Sequence, residues 1–416
     1  MKARVLRLGI AAGLVAAAWA GPAAAATGST WQLLATVNQQ ASQVTDSQFL
    51  GISLASPADG WAVGTFDDKN AVAHALVEHW DGTTWALGHA PHPSGRSAQL
   101  AGVDELSPTD VWAVGDSEGD SGVTSDLPLI EQWNGTSWSI AAGVSLPAGA
   151  SGVLNAIGGS GPDDLWAVGY MLSADQSQES LLIEHFDGTQ WATVPFPSQF
   201  SACDPGLSDC FLDATAVAAS APGNAWLAGN VAQPNNTQHL LAQWNGTSWT
   251  LATAPCLEGT AKATCDPEGT DLNELTGLTV LSPTDAWASG SEGNVNDENF
   301  HIPYVLHWNG TSWSLTRTPN RGGEGSLLNA ITAVSATDIW AVGQTQQLNG
   351  AIQTLTEQFT GTTWAIVTSP NPGRTPADDS LDAVASAGSG QVFAAGARTI
   401  TGQCCLRTLA LLNPSG

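Results

Sequence analysis

Carboxylates are the one reactive group this chain carries in quantity, with 38 Asp and Glu set against 11 Lys and Arg, 8 His, 6 Cys and 2 Tyr. Two facing carboxylates can cleave a glycosidic bond, one as acid and one as base or nucleophile. No spacing in the sequence singles out such a pair. G-x-S-x-G, H-E-x-x-H and a phosphate-cradling glycine loop are absent. A site built on a Tyr nucleophile and an Arg cluster would have to draw on Tyr170 or Tyr304 and on almost every Arg after residue 26. His89 and His92, in H-A-P-H, come nearest to a metal-ligand spacing, but no Cys, Asp or Glu stands at a supporting interval. No cofactor is indicated. The acids offer oxygen ligands to a divalent cation, but ordinary solvated surface charge is much the better account of them.

The compartment is read from the N-terminus. Lys2, Arg4 and Arg7 precede an apolar run from Leu8 to Ala20, and Ala24-Ala25-Ala26 fits a small-residue cleavage site. Residues 1–26 are thus expected to be a secretory signal peptide. The product is then extracellular, released or held at the cell surface, with no transmembrane segment. Cleavage removes three basic residues and no acid, taking the formal charge from −27 to about −30. Nucleic acid is excluded as a partner, since phosphate binding needs clustered Lys and Arg. Six cysteines in such a chain suggest disulfides. Cys203 and Cys210, and Cys256 and Cys265, are expected to pair locally within polar loops. Cys404 and Cys405 are adjacent, and they stay reduced, pair elsewhere or form a strained disulfide; six cysteines allow 15 connectivities.

The elements that must position any site are legible through repetition. A W-A-V-G phrase or its variant recurs at Trp61, Trp112, Trp166, Trp226, Trp287 and Trp340, with Phe393 in the seventh place, at spacings of 51, 54, 60, 61, 53 and 53 residues. Before it stands a turn such as Ser107-Pro108-Thr109-Asp110, in which Pro presets φ and Ser and Asp bond the turn backbone. After it comes an apolar segment closed by W-N-G-T-S-W or a relative, ending at Trp85, Trp138, Trp191, Trp249, Trp313 and Trp364. The Asn-Gly or Asp-Gly pair there predicts a two-residue hairpin of type I′, and a fourth strand of about five residues follows. Each unit is therefore four antiparallel strands, and no helix is indicated.

Seven such units predict an all-β, seven-bladed β-propeller of four-stranded antiparallel blades, closed by the N-terminal strand completing blade 7. The blades fall at approximately 49–90, 100–143, 153–196, 212–254, 273–318, 327–369 and 381–413, within one domain of residues 27–416. Blade 7 stops at Leu412-Asn413-Pro414, short of a fourth strand. Residues 28–38 supply it, since Gly28 through Asn38 match Gly310 through Asn320 at Gly, Trp and Asn. The exchange leaves no open edge at the seam.

Seventeen of the 18 Trp recur at repeat positions and are read as packing between blades rather than as sugar platforms. His79, His185 and His307 share one register with Gln132, Gln243 and Gln358, which marks a structural polar site. The sequons at Asn134, Asn245 and Asn309 are explained as turns. The glycine of W-A-V-G is read as a close approach of strands.

The S-P-T-D-x-W-A-V-G and W-N-G-T-S-W phrases resemble the repeats of Asp-box propellers, above all the seven-bladed photosystem II assembly-factor type with its G-W-x-V-G and T-D-G-G-x-T-W. The turn here is one residue shorter and lacks the leading Ser/Thr. The resemblance covers the chain after the leader as a blade plan and carries over no functional residue. The chain is also similar to secreted W-A-V-G repeat propellers of unknown function from high-GC bacteria.

The variable loops and the blade-to-blade connections share one face, and function is expected there. Arg96, Arg321 and Arg374 fall on it and are the candidate binding residues, for an anion or carboxylate. The expected function is a secreted, monomeric, non-catalytic binding or scaffold propeller engaging a protein or polysaccharide. The alternative is an extracellular glycoside hydrolase or lyase with acids in the central funnel.

Overall fold

The computed structural model describes residues 31–37, 44–119, 126–143, 145–197, 211–233, 236–255, 271–294, 297–321, 325–373, 378–388, 390–399 and 406–414. The expected signal peptide, Arg374 and all six cysteines lie outside these residues. Among the described residues the chain has no helix and forms seven four-stranded antiparallel blades. Blade 1 runs Val44–Ser56, Asp59–Asp68, Ala73–Trp80 and Trp85–Leu87, from the axis outward, and the order repeats. Blade 7 holds Asp379–Ser386, Val392–Thr399 and Leu406–Asn413, and its outermost strand is Gln32–Leu34, with Gln32 opposite Leu412 and Leu34 opposite Ala410. The ring closes as the repeat arithmetic requires.

Blades are joined by aromatic stacking. The aromatic of each second strand lies against the outer aromatics of the next blade: Trp61 meets Trp133 and Trp138 at 5.0 and 5.1 Å, and Trp166 meets Trp244 and Trp249 at 5.0 Å each. Phe393 on Trp80, at 5.7 Å, carries the series from blade 7 to blade 1. These rings sit in apolar clusters that draw on two neighbouring blades, such as Trp61, Val63 and Val77 with Val111, Leu129 and Trp138. The polar register is structural too. His79 reaches Asp59 at 2.6 Å, His307 reaches Asp285 at 2.9 Å, and Gln358 donates to Asp338 at 2.9 Å, so His and Gln do the same work.

The innermost strands carry a regular irregularity. Each has a β-bulge at the same register, leaving Leu50, Ala101, Asn155, Thr215, Thr276, Asn329 and Asp382 as the extra residues. From blade 3 to blade 6 the bulged side chain donates across to the next innermost strand: Asn155 to Ala214 O (2.9 Å), Thr215 to Leu275 O (2.8 Å), Thr276 to Leu328 O (2.7 Å) and Asn329 to Leu381 O (2.9 Å). The W-A-V-G glycine lies opposite this bulge. A Cβ on Gly343 would stand 2.0 Å from Leu327 O, so the close approach is to the bulged backbone itself.

Two local expectations are corrected. The outer hairpin is a four-residue loop, because Trp80 pairs with Trp85 and only the glycine takes positive φ, 90° at Gly82. Asp81 Oδ1 accepts the N–H groups of Thr83 and Thr84 at 2.8 and 2.7 Å, and Asn309 does the same for Thr311 and Ser312, so the side chain holds the loop that a type I′ turn would have made with backbone alone. The fourth strand is only three residues in six of the blades. After one more bond, such as Val367 N–H to Thr356 O, the chain leaves for the next blade.

Candidate functional site

Antiparallel order puts the turns between first and second strands, and the outer hairpins, on one face. The loops between second and third strands share the other face with the blade connections. On this second face, the residue after the W-A-V-G glycine sits opposite an innermost-strand residue just before the bulge. The pairs are Gln48 and Thr65, Gln99 and Asp116, Val153 and Tyr170, Asp213 and Asn230, Glu274 and Ser291, Leu327 and Gln344, and Ser380 and Ala397. The backbone is constant here while the chemistry changes from blade to blade. That is where a repeat scaffold can hold a ligand without losing its fold.

Blades 2 to 5 make this rim acidic. Asp116, Asp213 and Glu274 come from the paired positions, and Asp126 and Glu179 enter from the third strands or just before them. Tyr170 stands among them. Burial first, and then the charges of Asp213, Glu179, Asp126 and Asp116, push its phenol upward. Asp213 rises to about 7, through burial and then Glu179, while Asn155 Nδ2, donating at 2.6 Å, opposes the shift. Glu179 also rises to about 7 through burial, although its Oε1 accepts Leu212 N–H at 2.9 Å. Asp116 rises to about 6 by burial against the Gln99 amide, which donates at 2.6 Å. Burial raises Asp126 and Glu274 as well. The site is a crescent of crowded, partly desolvated carboxylates around one phenol.

Arg96 belongs to this crescent. Its guanidinium donates to Ser117 O and, at 3.2 Å, to Ser117 Oγ, and its charge acts on Asp116 and Asp126. Arg321 has Nη1 buried without a hydrogen-bond partner, and Arg374 lies outside the described residues. Nothing in the described geometry brings Arg96 and Arg321 together. His89 and His92 line a cavity of about 160 Å³ on blade 1 with Phe66 and His74. Among the described residues no three His, Cys, Asp or Glu are placed to hold a metal ion, and no helix is long and apolar enough to cross a membrane. Sequence reasoning overlooked Asp116, Glu179, Asp213 and Glu274, and weighed Tyr170 only as a nucleophile. Aligning the seven blades and seeking the paired positions that vary at and opposite the residue after the invariant glycine would have found Asp116, Asp213 and Glu274.

No family model and no curated sequence matches this chain. Solved structures do resemble it. One titled "YCF48 bound to D1 peptide" aligns over 95% of this chain and 100% of its own, at 15% identity and a TM-score of 0.51. A protein of unknown function from Dyadobacter fermentans aligns over 92% and 97%, at 10% identity and 0.48. A mutant Aleuria aurantia lectin in complex with alpha-methyl-L-fucoside aligns over 80% and 99%, at 12% identity and 0.43. Likeness at these identities is likeness of fold.

Proposed function

We propose that the protein is a secreted, non-catalytic binding propeller that takes a basic protein segment on the acidic rim of blades 2 to 5. The observation that carries this reading is the convergence of Asp116, Asp126, Glu179 and Asp213 on Tyr170, with Arg96 among them. Carboxylates crowded enough to raise one another gain most from a cation that replaces their protons. A phenol among them offers a π-face to an ammonium or guanidinium. The chain's net charge of −27 adds steering toward a basic partner. A propeller of the same plan has been captured with a peptide, which keeps a protein segment within the capacity of the fold. The test is binding of a fluorescent oligolysine, with oligoglutamate and neutral dextran as controls. Saturable oligolysine binding, weakened several-fold by Glu179→Gln, is expected; equal weak binding of all three probes sinks the reading.

A hydrolase or lyase is the second reading, favoured by Asp213 and Glu179 both standing at about 7, where one carboxyl can hold a proton for a leaving group. Turnover of aryl glycosides that disappears in Asp213→Asn would establish it in place of the first.

A further inference from the structure

Four third strands carry a glutamate at one register, Glu78, Glu131, Glu184 and Glu357, and all four are fully buried. Each sits immediately before the His or Gln that bonds the turn aspartate, opposite the alanine of W-A-V-G: Glu78 opposite Ala62, Glu131 opposite Ala113 and Glu357 opposite Ala341. The other three blades place Ala242, Leu306 and Leu411 there, all buried. The fold thus has no need of a carboxyl at this register, and an apolar residue fills it. Among the described residues no protein donor reaches either oxygen of Glu131 or Oε1 of Glu78, and the Thr318 hydroxyl stands beside Glu357. The second oxygen of Glu78 accepts Val37 N–H at 3.0 Å, at the end of the strand that closes blade 7. Glu357 lies by Thr318, where the chain leaves blade 5. The register is therefore a seam between consecutive blades.

We propose that Glu78, Glu131 and Glu357 make the ring a proton-dependent closure, in which the seams are sealed while these carboxyls are neutral and loosen when alkali ionises them. An ionised carboxylate buried without a cation is costly, and removing the proton leaves that charge between packed blades. Among the described residues no ion pair engages any of the three, and no charged side chain contributes to the shift of any of them. Burial leads in every case, raising Glu78 to about 7 and Glu131 and Glu357 to about 8; Val37 N–H opposes it at Glu78 and the Thr318 hydroxyl at Glu357. The sign follows from linkage. The folded chain keeps these protons above the ordinary carboxylate range while the unfolded chain has released them. Stability therefore falls as pH rises toward about 8 and levels off above it. At Glu78 the loss bears directly on the closing strand.

The test is urea unfolding of the full chain at pH 5.5, 7 and 8.5. Other buried acids, among them Asp104, Glu105, Asp213 and Glu179, add to the slope of the unsubstituted protein, so the comparison with variants isolates the seams. A proton held only in the folded state makes the unfolding constant climb by up to about tenfold per pH unit. Glu131→Gln and Glu357→Gln should each remove about one such factor. Glu131→Leu, copying blade 5, should do the same where the amide packs poorly. Infrared spectra of the unsubstituted protein at pH 7 should contain protonated-carboxyl absorption that Glu131→Gln diminishes. Equal pH slopes in all four proteins, or no protonated carboxyl at pH 7, overturns the proposal.

Discussion

Trp31 meets Trp340 edge-on across the seam between blades 6 and 7, with ring centroids 5.4 Å apart and planes at 89°. A residue from the start of the chain thereby occupies the place that Trp138 or Trp249 holds in its own blade. The strand behind it pairs over three residues only, helped by Thr36 Oγ1 donating to Thr408 O at 3.2 Å. Packing of the indole carries the closure, so Trp31→Ala should cost about 3–5 kcal/mol. Deleting residues 28–38 should lower the melting temperature further. A deletion that melts with the full chain would refute the strand exchange.

The W-A-V-G glycine is the most constrained small residue of the repeat. At Gly343 a Cβ would overlap Leu327 O, whereas at Gly161 the nearest atom would be 3.7 Å away on a side chain. Gly343→Ala should destabilise by about 1–3 kcal/mol or more, since backbone must move to admit the methyl. Gly161→Ala should be near neutral. Chemical denaturation of the two variants side by side separates a steric demand from a general preference for glycine.

The contrast between those two glycines also shows what the sequence could convey. Residues repeated for packing, such as Trp61, Trp166 and Asp285, are legible because most blades solve the same problem with the same residue. The bulge was not legible, since Leu50, Thr215 and Asp382 occupy it alike and an extra residue breaks the alternation that identifies a strand. The loop at Asp81 misled for a different reason. Asn-Gly and Asp-Gly serve a type I′ turn and an Asx-held loop equally, and only the partner of Trp80 distinguishes them. Asp213, and the place of Tyr170 beside it, escaped because the register that brings them together is the one the repeat leaves free.

The bulge side chains form a partial belt around the axis. Thr276 Oγ1 donates to Leu328 O in the next blade at 2.7 Å, and Thr215 Oγ1 to Leu275 O at 2.8 Å. Thr276→Val keeps the shape and removes the donor, leaving a carbonyl near the axis with one partner fewer. About 1 kcal/mol of stability should be lost. Thr215→Val should behave alike, and the double variant, with both sites acting on blade 5, should depart from additivity by a measurable fraction of that amount in a double-mutant cycle.

Binding at the acidic rim should be gated by protons in the sense opposite to that of closure. Asp213 and Glu179 are raised to about 7, so near pH 5.5 they are neutral and offer a cation little. As pH rises through 7 they ionise, and oligolysine affinity should increase, by up to roughly tenfold per pH unit for each proton that binding displaces. The gain should shrink as salt is added, because exposed charge is screened beyond about 10 Å at 0.1 M ionic strength. Glu179→Gln should flatten the pH profile between 6 and 8 while leaving the melting temperature at pH 5.5 nearly unchanged, since the carboxyl it replaces is already neutral there. Titrations at pH 5.5, 7 and 8, each at two salt concentrations, decide the matter; an affinity indifferent to pH across that range would remove Asp213 and Glu179 from the site.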